Sequence, residues 1–207
     1  MIWWQVALVL VGAYLLGSFP SAYLAGKFKS GVDIRTVGSK NMGTMNSVYS
    51  LGFGWGIAVL LCDLAKGALP VLAARWLGMT DIIQFLAGLI AILGHNFPVW
   101  LKFKGGKGGA TAIGATTAFI PWIWVISFPI FLLLLLITKV PTISYGIAMV
   151  SFPILGAVMY KGTNYWWFTL VYILIPYLWY IPRLIEMRKK GGSWKHVFMR
   201  KSVKDRF

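Results

Sequence analysis

Long apolar stretches separated by short polar segments dominate this sequence. Six stretches approach or exceed the roughly 20 apolar residues that an α-helix needs to cross the hydrocarbon core of a bilayer. They cover residues 2–25, 53–76, 82–101, 110–137, 143–160 and 165–181. The pattern therefore predicts an all-α integral membrane protein, built as a bundle of transmembrane helices.

The number of crossings depends on the stretch 110–137, which forms one helix if it is continuous and two if it breaks near Pro121. Lys and Arg favour the cytoplasmic side of a membrane. Two loops and the C-terminal tail are basic, and all three are cytoplasmic only if the N-terminus is outside and the number of crossings is odd. We therefore expect seven transmembrane helices, a short fourth one among them, and a cytoplasmic C-terminus. The basic residues are Lys27, Lys29, Arg35 and Lys40, then Lys102, Lys104 and Lys107, and in the tail Arg183, Arg188, Lys189, Lys190, Lys195, Arg200, Lys201, Lys204 and Arg206.

Composition supports this prediction and limits the partners. The 207 residues are 58% hydrophobic and 12% charged, whereas about a quarter of the residues in a soluble domain are charged. A net charge of +15 would suggest nucleic acid in a soluble protein. Here the basic residues lie between apolar stretches and in the tail, so we expect anionic lipids and no nucleic acid. We expect a transmembrane domain over residues 1–182 and a basic cytoplasmic tail over residues 183–207.

The sequence gives no sign of a metal or a cofactor. Cys62 is the single cysteine, so neither an intrachain disulfide nor a cysteine metal cluster is possible. No His, Cys or Asp cluster suits a metal, and we expect no cofactor.

The first polar segment, residues 33–46, is rich in hydrogen-bond donors. It offers hydroxyl, amide and backbone groups from Gly38, Ser39, Asn41, Gly43, Thr44 and Asn46. Taken alone, such a segment could be an ordinary turn and cap before the next helix, because Ser and Asn favour those positions. A second donor-rich segment on the same predicted membrane face makes phosphate binding the preferred interpretation.

That second segment, residues 94–109, ends in a glycine-rich loop around Lys107. Gly105, Gly106, Gly108 and Gly109 would allow positive φ angles and close approach to a ligand. Successive backbone N–H groups can form an anion-binding concavity, and a helix that begins near Ala110 would direct its positive end there. The loop is not a Walker A motif, since Leu101 and Gly108 stand where that motif needs Gly and Ser or Thr. The alternative is a flexible basic loop that faces lipid.

Besides Arg75 at the edge of the second stretch, one Asp, one Lys and one His lie within the apolar stretches. His95 lies near the end of the third stretch, before Pro98, and is either a hydrogen-bonding cap or a group that contacts the substrate. Asp63 and Lys66 are three residues apart on one helical face. Ionisable residues at membrane depth are usually paired or functional, so we expect Asp63 and Lys66 to form a structural ion pair beside the site.

At these segments the sequence resembles the bacterial acyl-phosphate:glycerol-3-phosphate acyltransferase family. The resemblance rests on Gly-Ser-Phe-Pro-Ser-Ala-Tyr-Leu at 17–24, Asp-Ile-Arg at 33–35, Gly-Ser-x-Asn-x-Gly at 38–43, Asp-Leu-x-Lys-Gly at 63–67, and the segment from Gly-His-Asn-Phe-Pro at 94–98 through Lys107-Gly108. It implies a seven-helix enzyme of the bacterial plasma membrane with a cytoplasmic site.

The implied reaction is transfer of a fatty acyl group from acyl phosphate to glycerol 3-phosphate, which gives lysophosphatidic acid for phospholipid biosynthesis. On this interpretation His95, Lys107 and Ser39 are catalytic. Arg35, Gly38, Asn41, Gly43, Thr44, Asn46, Gly105, Gly106 and Gly108 are assigned to substrate binding. His95 would orient the acceptor hydroxyl or accept its proton, unless the leaving phosphate takes that proton.

The chain departs from the family pattern on the acceptor side. Tyr49 replaces an arginine that the family associates with glycerol 3-phosphate, and Tyr177 and Tyr180 replace the His and Asn of its third motif. These three tyrosines could reshape the acceptor pocket. A divergent acyltransferase with another acceptor, and a non-catalytic lipid- or anion-binding membrane protein, therefore stay as alternatives at this stage.

Overall fold

A computed structural model describes residues 3–199 and is helical, without a strand in that range. The described part of the chain leaves out residues 1 and 2 and the end of the basic tail. The tail residues Arg200, Lys201, Lys204 and Arg206 therefore lie outside it. The helices are α1 (Trp3–Gly17), α2 (Ser21–Ser30), α3 (Thr44–Leu51), α4 (Phe53–Trp76), α5 (Asp81–Asn96), α6 (Gly109–Phe119), α7 (Ile123–Thr138), α8 (Pro141–Met149), α9 (Ser151–Met159), α10 (Tyr165–Gly191) and α11 (Trp194–Phe198), with 3₁₀ turns at Ile34–Thr36 and Val99–Leu101.

Five helical segments of the described chain are long and apolar enough to cross a membrane, namely Trp3–Ser30, Phe53–Trp76, Asp81–Leu101, Pro141–Met159 and Tyr165–Gly191. Ile123–Thr138 is a shorter apolar helix. A break is present near Pro121, where α6 ends at Phe119 and α7 begins at Ile123. The prediction of an all-α membrane protein is thus confirmed.

The chain divides into two compact units, Met1–Phe119 and Ile120–Phe207. All the polar motifs of the sequence up to residue 109 belong to the first unit. Within the second unit, α10 continues without interruption past Pro182, so the first residues of the basic tail are the last turns of that helix.

Glycines bring α1 and α5 into backbone contact in the first unit. A Cβ added at Gly17 would overlap the backbone of Ala91, and one at Gly94 would lie 2.5 Å from the carbonyl oxygen of Tyr14. Helices in lipid associate through such close packing of small residues, because the hydrophobic effect does not drive them together there. The crossing fixes the position of the C-terminal end of α5 beside the α1–α2 junction.

A second glycine crossing joins α4 to α6. A Cβ at Gly67 would overlap the carbonyl of Thr111, and one at Gly114 would overlap that of Leu64. The crossing holds the polar middle of α4, with Asp63 and Lys66, against the helix that follows the glycine-rich loop.

In the second unit, polar side chains of the helices pair with one another. Ser127 and Ser151 hydroxyls lie 2.7 Å apart, Thr138 and Ser144 hydroxyls lie 2.8 Å apart, and the Tyr177 hydroxyl donates to the carbonyl oxygen of Gly146. Pairing of this kind is required where no water is available to satisfy polar groups.

We expect Gly17→Ala to destabilise the first unit, because the added methyl group meets backbone atoms that cannot move aside. The cost should be of the order of 1–3 kcal/mol, as for other overpacked sites, and would appear as a lower melting temperature in detergent. Gly12→Ala in the same helix is the matched control, since a Cβ there meets nothing within 4 Å. Equal melting temperatures for the two variants would contradict the close crossing.

Candidate functional site

A buried ion pair lies at the centre of the first unit. Asp63 and Lys66 in α4 are 1% and 4% exposed, and Lys66 Nζ lies 2.9 Å from Asp63 Oδ1. The Ser21 hydroxyl donates to the same carboxylate oxygen at 2.5 Å, and Lys66 donates to the carbonyl oxygen of Phe19 at 3.0 Å. Phe19 lies in the interruption between α1 and α2, and Ser21 begins α2 directly after it.

His95 in the last turn of α5 lies beside this pair. Its side chain is buried, and Nδ1 lies 3.8 Å from Asp63 Oδ1, which is longer than a hydrogen bond. Nδ1 has no hydrogen-bond partner among the described residues. On its Nε2 side the ring packs against Gly106, where an added Cβ would overlap Nε2. His95 therefore connects the buried pair to the glycine-rich loop.

The glycine-rich loop caps the C-terminal end of α5. The sequence did not predict this capping role. The N–H of Gly105 donates to the carbonyl oxygen of Asn96 at 3.0 Å, and the N–H of Gly106 donates to that of His95 at 3.1 Å. These two donors are therefore engaged within the protein and do not form an open anion-binding concavity. Of the four loop glycines, Gly108 alone has a positive φ, +78°. Gly105 and Gly106 are needed because carbonyl groups and the His95 ring lie where a side chain would stand.

Lys107 is half-buried between these glycines, and α6 begins two residues later at Gly109. The helix start predicted near Ala110 is therefore correct to one residue. The positive end of the α6 dipole adjoins the loop, an arrangement that favours anions.

Asn46 organises the first polar segment from within. Its side chain is 2% exposed, and its Nδ2 lies 3.0–3.1 Å from the carbonyl oxygens of Ile34, Val37 and Asn41. Its Oδ1 accepts a hydrogen bond from the N–H of Ser39 at 2.9 Å. The structure therefore gives Asn46 a role in folding the loop, where the sequence suggested contact with substrate.

Other polar groups of the same segment are not engaged in this way. The Ser39 hydroxyl and the Asn41 side-chain amide take part in no hydrogen bond with the described residues. Thr44 Oγ1 is buried and also without a partner there. Gly43, the N-cap residue of α3, has no side chain with which to cap the helix. The segment thus presents two hydroxyls, one amide and an uncapped helix end.

Arg35 joins the two polar segments. Its guanidinium pairs with Asp33, with Nη2 2.7 Å from Oδ2, and its Nη1 donates to the carbonyl oxygens of Leu101 and Lys104 at 3.3 and 3.4 Å. The hydrogen bond from Arg35 holds the pKa of the Asp33 carboxyl below its usual value. Close to this clamp, a Cβ at Gly106 would overlap the carbonyl oxygen of Met42, so the two segments touch directly.

The three tyrosines assigned to an acceptor pocket are divided between the units. Tyr49 lies on α3 in the first unit, whereas Tyr177 and Tyr180 lie on α10 in the second. The Tyr180 hydroxyl lies 3.7 Å from Met187 Sδ, and that of Tyr177 is bound to Gly146. Sequence reasoning did not single out Ser21, although a serine beside a proline inside an apolar stretch was a signal that it has a polar partner.

Comparisons with known proteins agree with the family suggested by the motifs. The family model described as glycerol-3-phosphate acyltransferase matches residues 7–187. Glycerol-3-phosphate acyltransferase 2 of Dehalococcoides mccartyi is 49% identical over 204 residues, which are 98% of this chain and 97% of that protein. A glycerol-3-phosphate acyltransferase of Parasynechococcus marenigrum is 39% identical over 158 residues, 76% of this chain and 74% of that protein.

Two crystal structures of the integral membrane glycerol 3-phosphate acyltransferase PlsY are also similar, each over 98% of this chain. The glycerol 3-phosphate form is 29% identical to this chain in sequence, with a TM-score of 0.83, and the match covers 96% of that protein. The lysophosphatidic acid form has a TM-score of 0.79 and 28% identity and is covered over 95%.

The contrast between Asn46 and Ser39 can be tested by stability. Asn46→Ala removes the side chain that binds three carbonyl oxygens and one N–H, so we expect a loss of about 1–3 kcal/mol and a lower melting temperature. Ser39→Ala removes a hydroxyl that makes no bond within the described structure, and its melting temperature should equal that of the unmodified protein. The reverse order would show that Ser39, and not Asn46, organises the loop.

Proposed function

The chain belongs to the glycerol-3-phosphate acyltransferase family, and from that membership we propose that it transfers a fatty acyl group from acyl phosphate to the 1-hydroxyl of glycerol 3-phosphate. It is a bacterial membrane enzyme of phospholipid biosynthesis. The products are lysophosphatidic acid and inorganic phosphate. The observation that carries the proposal is the contact between the two polar segments, where Gly106 packs against the carbonyl oxygen of Met42 and the ring of His95.

The reaction makes modest chemical demands on the protein. The 1-hydroxyl oxygen attacks the acyl carbonyl carbon, the bond from that carbon to the phosphate oxygen breaks, and phosphate departs with the electron pair. The hydroxyl proton passes to His95 or to the departing phosphate. Because acyl phosphate is already activated, binding in the correct orientation and stabilisation of charge supply most of the catalysis.

We assign phosphate binding to the donors that the protein does not use itself. These are the Ser39 hydroxyl, the Asn41 amide and Thr44 Oγ1, with Gly38 and Gly43 giving the close approach. Lys107 neutralises phosphate charge from the second segment, where Gly108 and the start of α6 adjoin it. Asn46, Gly105 and Gly106 support this site through internal hydrogen bonds and packing, and Arg35 holds the two segments together.

Within the first unit, the acceptor side is assigned to Tyr49, which replaces the family arginine. Tyr49 lies on α3, little more than one turn beyond Thr44 at the start of that helix, and a tyrosine can donate a hydrogen bond where the family arginine would supply a charge. Tyr177 and Tyr180 occupy the third-motif positions of α10 in the second unit. The acceptor contact proposed here is therefore Tyr49 alone.

We also propose seven crossings, with the N-terminus outside and the polar segments in the cytoplasm. Arg35 binds carbonyl groups at Leu101 and Lys104, so the two segments lie on the same side of the membrane. With α6 and α7 as separate short crossings, the basic residues at the end of α10 fall on that side too. Anionic lipid headgroups on the cytoplasmic face are their proposed partners.

The reaction can be tested with purified protein in lipid and palmitoyl phosphate as donor. Phosphate release should depend on glycerol 3-phosphate, and Lys107→Ala should lower it by about 10²–10³-fold, as expected when a charge-stabilising donor is removed. Lys104→Ala is the matched control, since that side chain is exposed in the same loop. Release without glycerol 3-phosphate would indicate another acceptor or hydrolysis, and absence of release would contradict the proposal.

The orientation can be tested with an impermeant thiol reagent in a Cys62→Ser background. Thr80→Cys, in the exposed turn between α4 and α5, should react from outside intact cells. Lys29→Cys, exposed at the end of α2, should react only after the membrane is opened. Labelling of both from one side would contradict the proposed crossings.

A further inference from the structure

The carboxylate of Asp63 has more partners than an ion pair needs. Its Oδ1 accepts from the Ser21 hydroxyl at 2.5 Å, lies 2.9 Å from Lys66 Nζ, and lies 3.8 Å from His95 Nδ1. Lys66 is itself held by the carbonyl oxygen of Phe19. Three side chains, one each from α2, α4 and α5, therefore converge on one oxygen atom of Asp63, in an interior where unpaired charge is costly.

The charge on that oxygen determines which nitrogen of His95 should carry hydrogen. A neutral imidazole has one N–H and one bare nitrogen with a lone pair. A bare Nδ1 would direct its lone pair toward a carboxylate, which is repulsive, whereas an Nδ1–H would direct a positive hydrogen toward it. Nδ1 has no other partner among the described residues, so the electrostatic preference is not offset by another hydrogen bond.

We propose that Asp63, fixed by Ser21 and Lys66, is a positioning residue that holds His95 with its hydrogen on Nδ1 and leaves Nε2 as a hydrogen-bond acceptor. Nε2 lies on the side of the ring that packs against Gly106, next to Lys107. The inference rests on the proposed function for its consequence: an acceptor at Nε2 can orient the hydroxyl of glycerol 3-phosphate and withdraw its proton. With the hydrogen on Nε2 the ring could donate to the hydroxyl oxygen but could not withdraw its proton.

One competing arrangement uses the same atoms. Lys66 has three N–H donors, and Asp63 and Phe19 take two of them. If the third were directed to a bare Nδ1, the hydrogen of His95 would be on Nε2. The two arrangements therefore predict opposite tautomers, which makes the tautomer itself the deciding measurement.

The first experiment is ¹⁵N NMR of histidine-labelled protein in lipid. The chain has two histidines, so His196→Gln in the tail leaves the signals of His95 alone. We expect the ¹⁵N signal of Nδ1 to be that of a nitrogen that carries hydrogen, and the signal of Nε2 to be that of a bare nitrogen. Asp63→Asn should shift the tautomer population of His95 toward Nε2–H. An Nε2–H tautomer in the protein that retains Asp63 would overturn the proposal and support the Lys66 arrangement.

The second experiment measures kcat and KM separately in variants that keep both buried charges. Ser21→Ala removes one hydrogen bond that holds the Asp63 carboxylate in place. We expect kcat to fall by roughly tenfold, which is part of the 10²–10⁴-fold that acid–base groups typically contribute. The KM for palmitoyl phosphate should not change. Ser18→Ala is the matched control, because Ser18 is equally buried at the same junction and its hydroxyl has no partner among the described residues. A KM effect without a kcat effect, or equal losses in the two variants, would overturn a positioning role.

The two proposals can fail separately. The tautomer is read without any turnover, so an Nδ1–H signal in a protein that does not transfer acyl groups would reject the proposed function and keep the positioning of His95. Normal turnover that depends on glycerol 3-phosphate, together with an Nε2–H signal, would keep the proposed function and reject the positioning of His95 by Asp63.

Discussion

The buried pair of Asp63 and Lys66 is the interaction on which the polar site depends. In an apolar medium a charge must be neutralised by a partner close at hand, and here the pair draws in the α1–α2 junction through Ser21 and Phe19. The interruption of the first long helix thereby provides hydrogen-bond partners for the charged side chains of α4. Breaking the pair from either side would leave a buried charge without compensation, which typically costs about 3–5 kcal/mol.

Glycine crossings make that arrangement possible. Because α1 touches α5 and α4 touches α6 at backbone distance, side chains from α2, α4 and α5 can converge on a single carboxylate oxygen. The same closeness applies at the loop, where Gly106 lies against the His95 ring. The glycines at these contacts therefore contribute by what they lack, which is a side chain at a point of close approach.

The two polar segments divide their groups between internal support and the phosphate binding that we propose. Asn46 and the N–H groups of Gly105 and Gly106 are committed to holding the loops, and Arg35 ties one loop to the other. The side chains of Ser39, Asn41 and Thr44 make no hydrogen bond with the residues that the structure describes. A site for a highly charged phosphate needs both classes, since donors bind well only when the backbone that carries them does not have to reorganise. This division explains how a site built on loops can serve an enzyme that works by orientation and charge.

The sequence by itself determined that the protein spans a membrane, that a helix breaks near Pro121, where the two polar segments lie, and which family the chain resembles. These features depend on hydropathy, on proline and on motif spacing, all of which are properties of residues close together in the sequence. The sequence also indicated that Asp63 and Lys66 would face one another, since helical spacing places them there. Only the tertiary structure decided that Asn46 turns inward, that Gly105 and Gly106 cap α5, and that Ser21 binds Asp63 across 42 positions of sequence. The reason is physical: residue type sets which hydrogen bonds a group can make, but the partner is chosen by whichever distant segment packing brings within 3 Å.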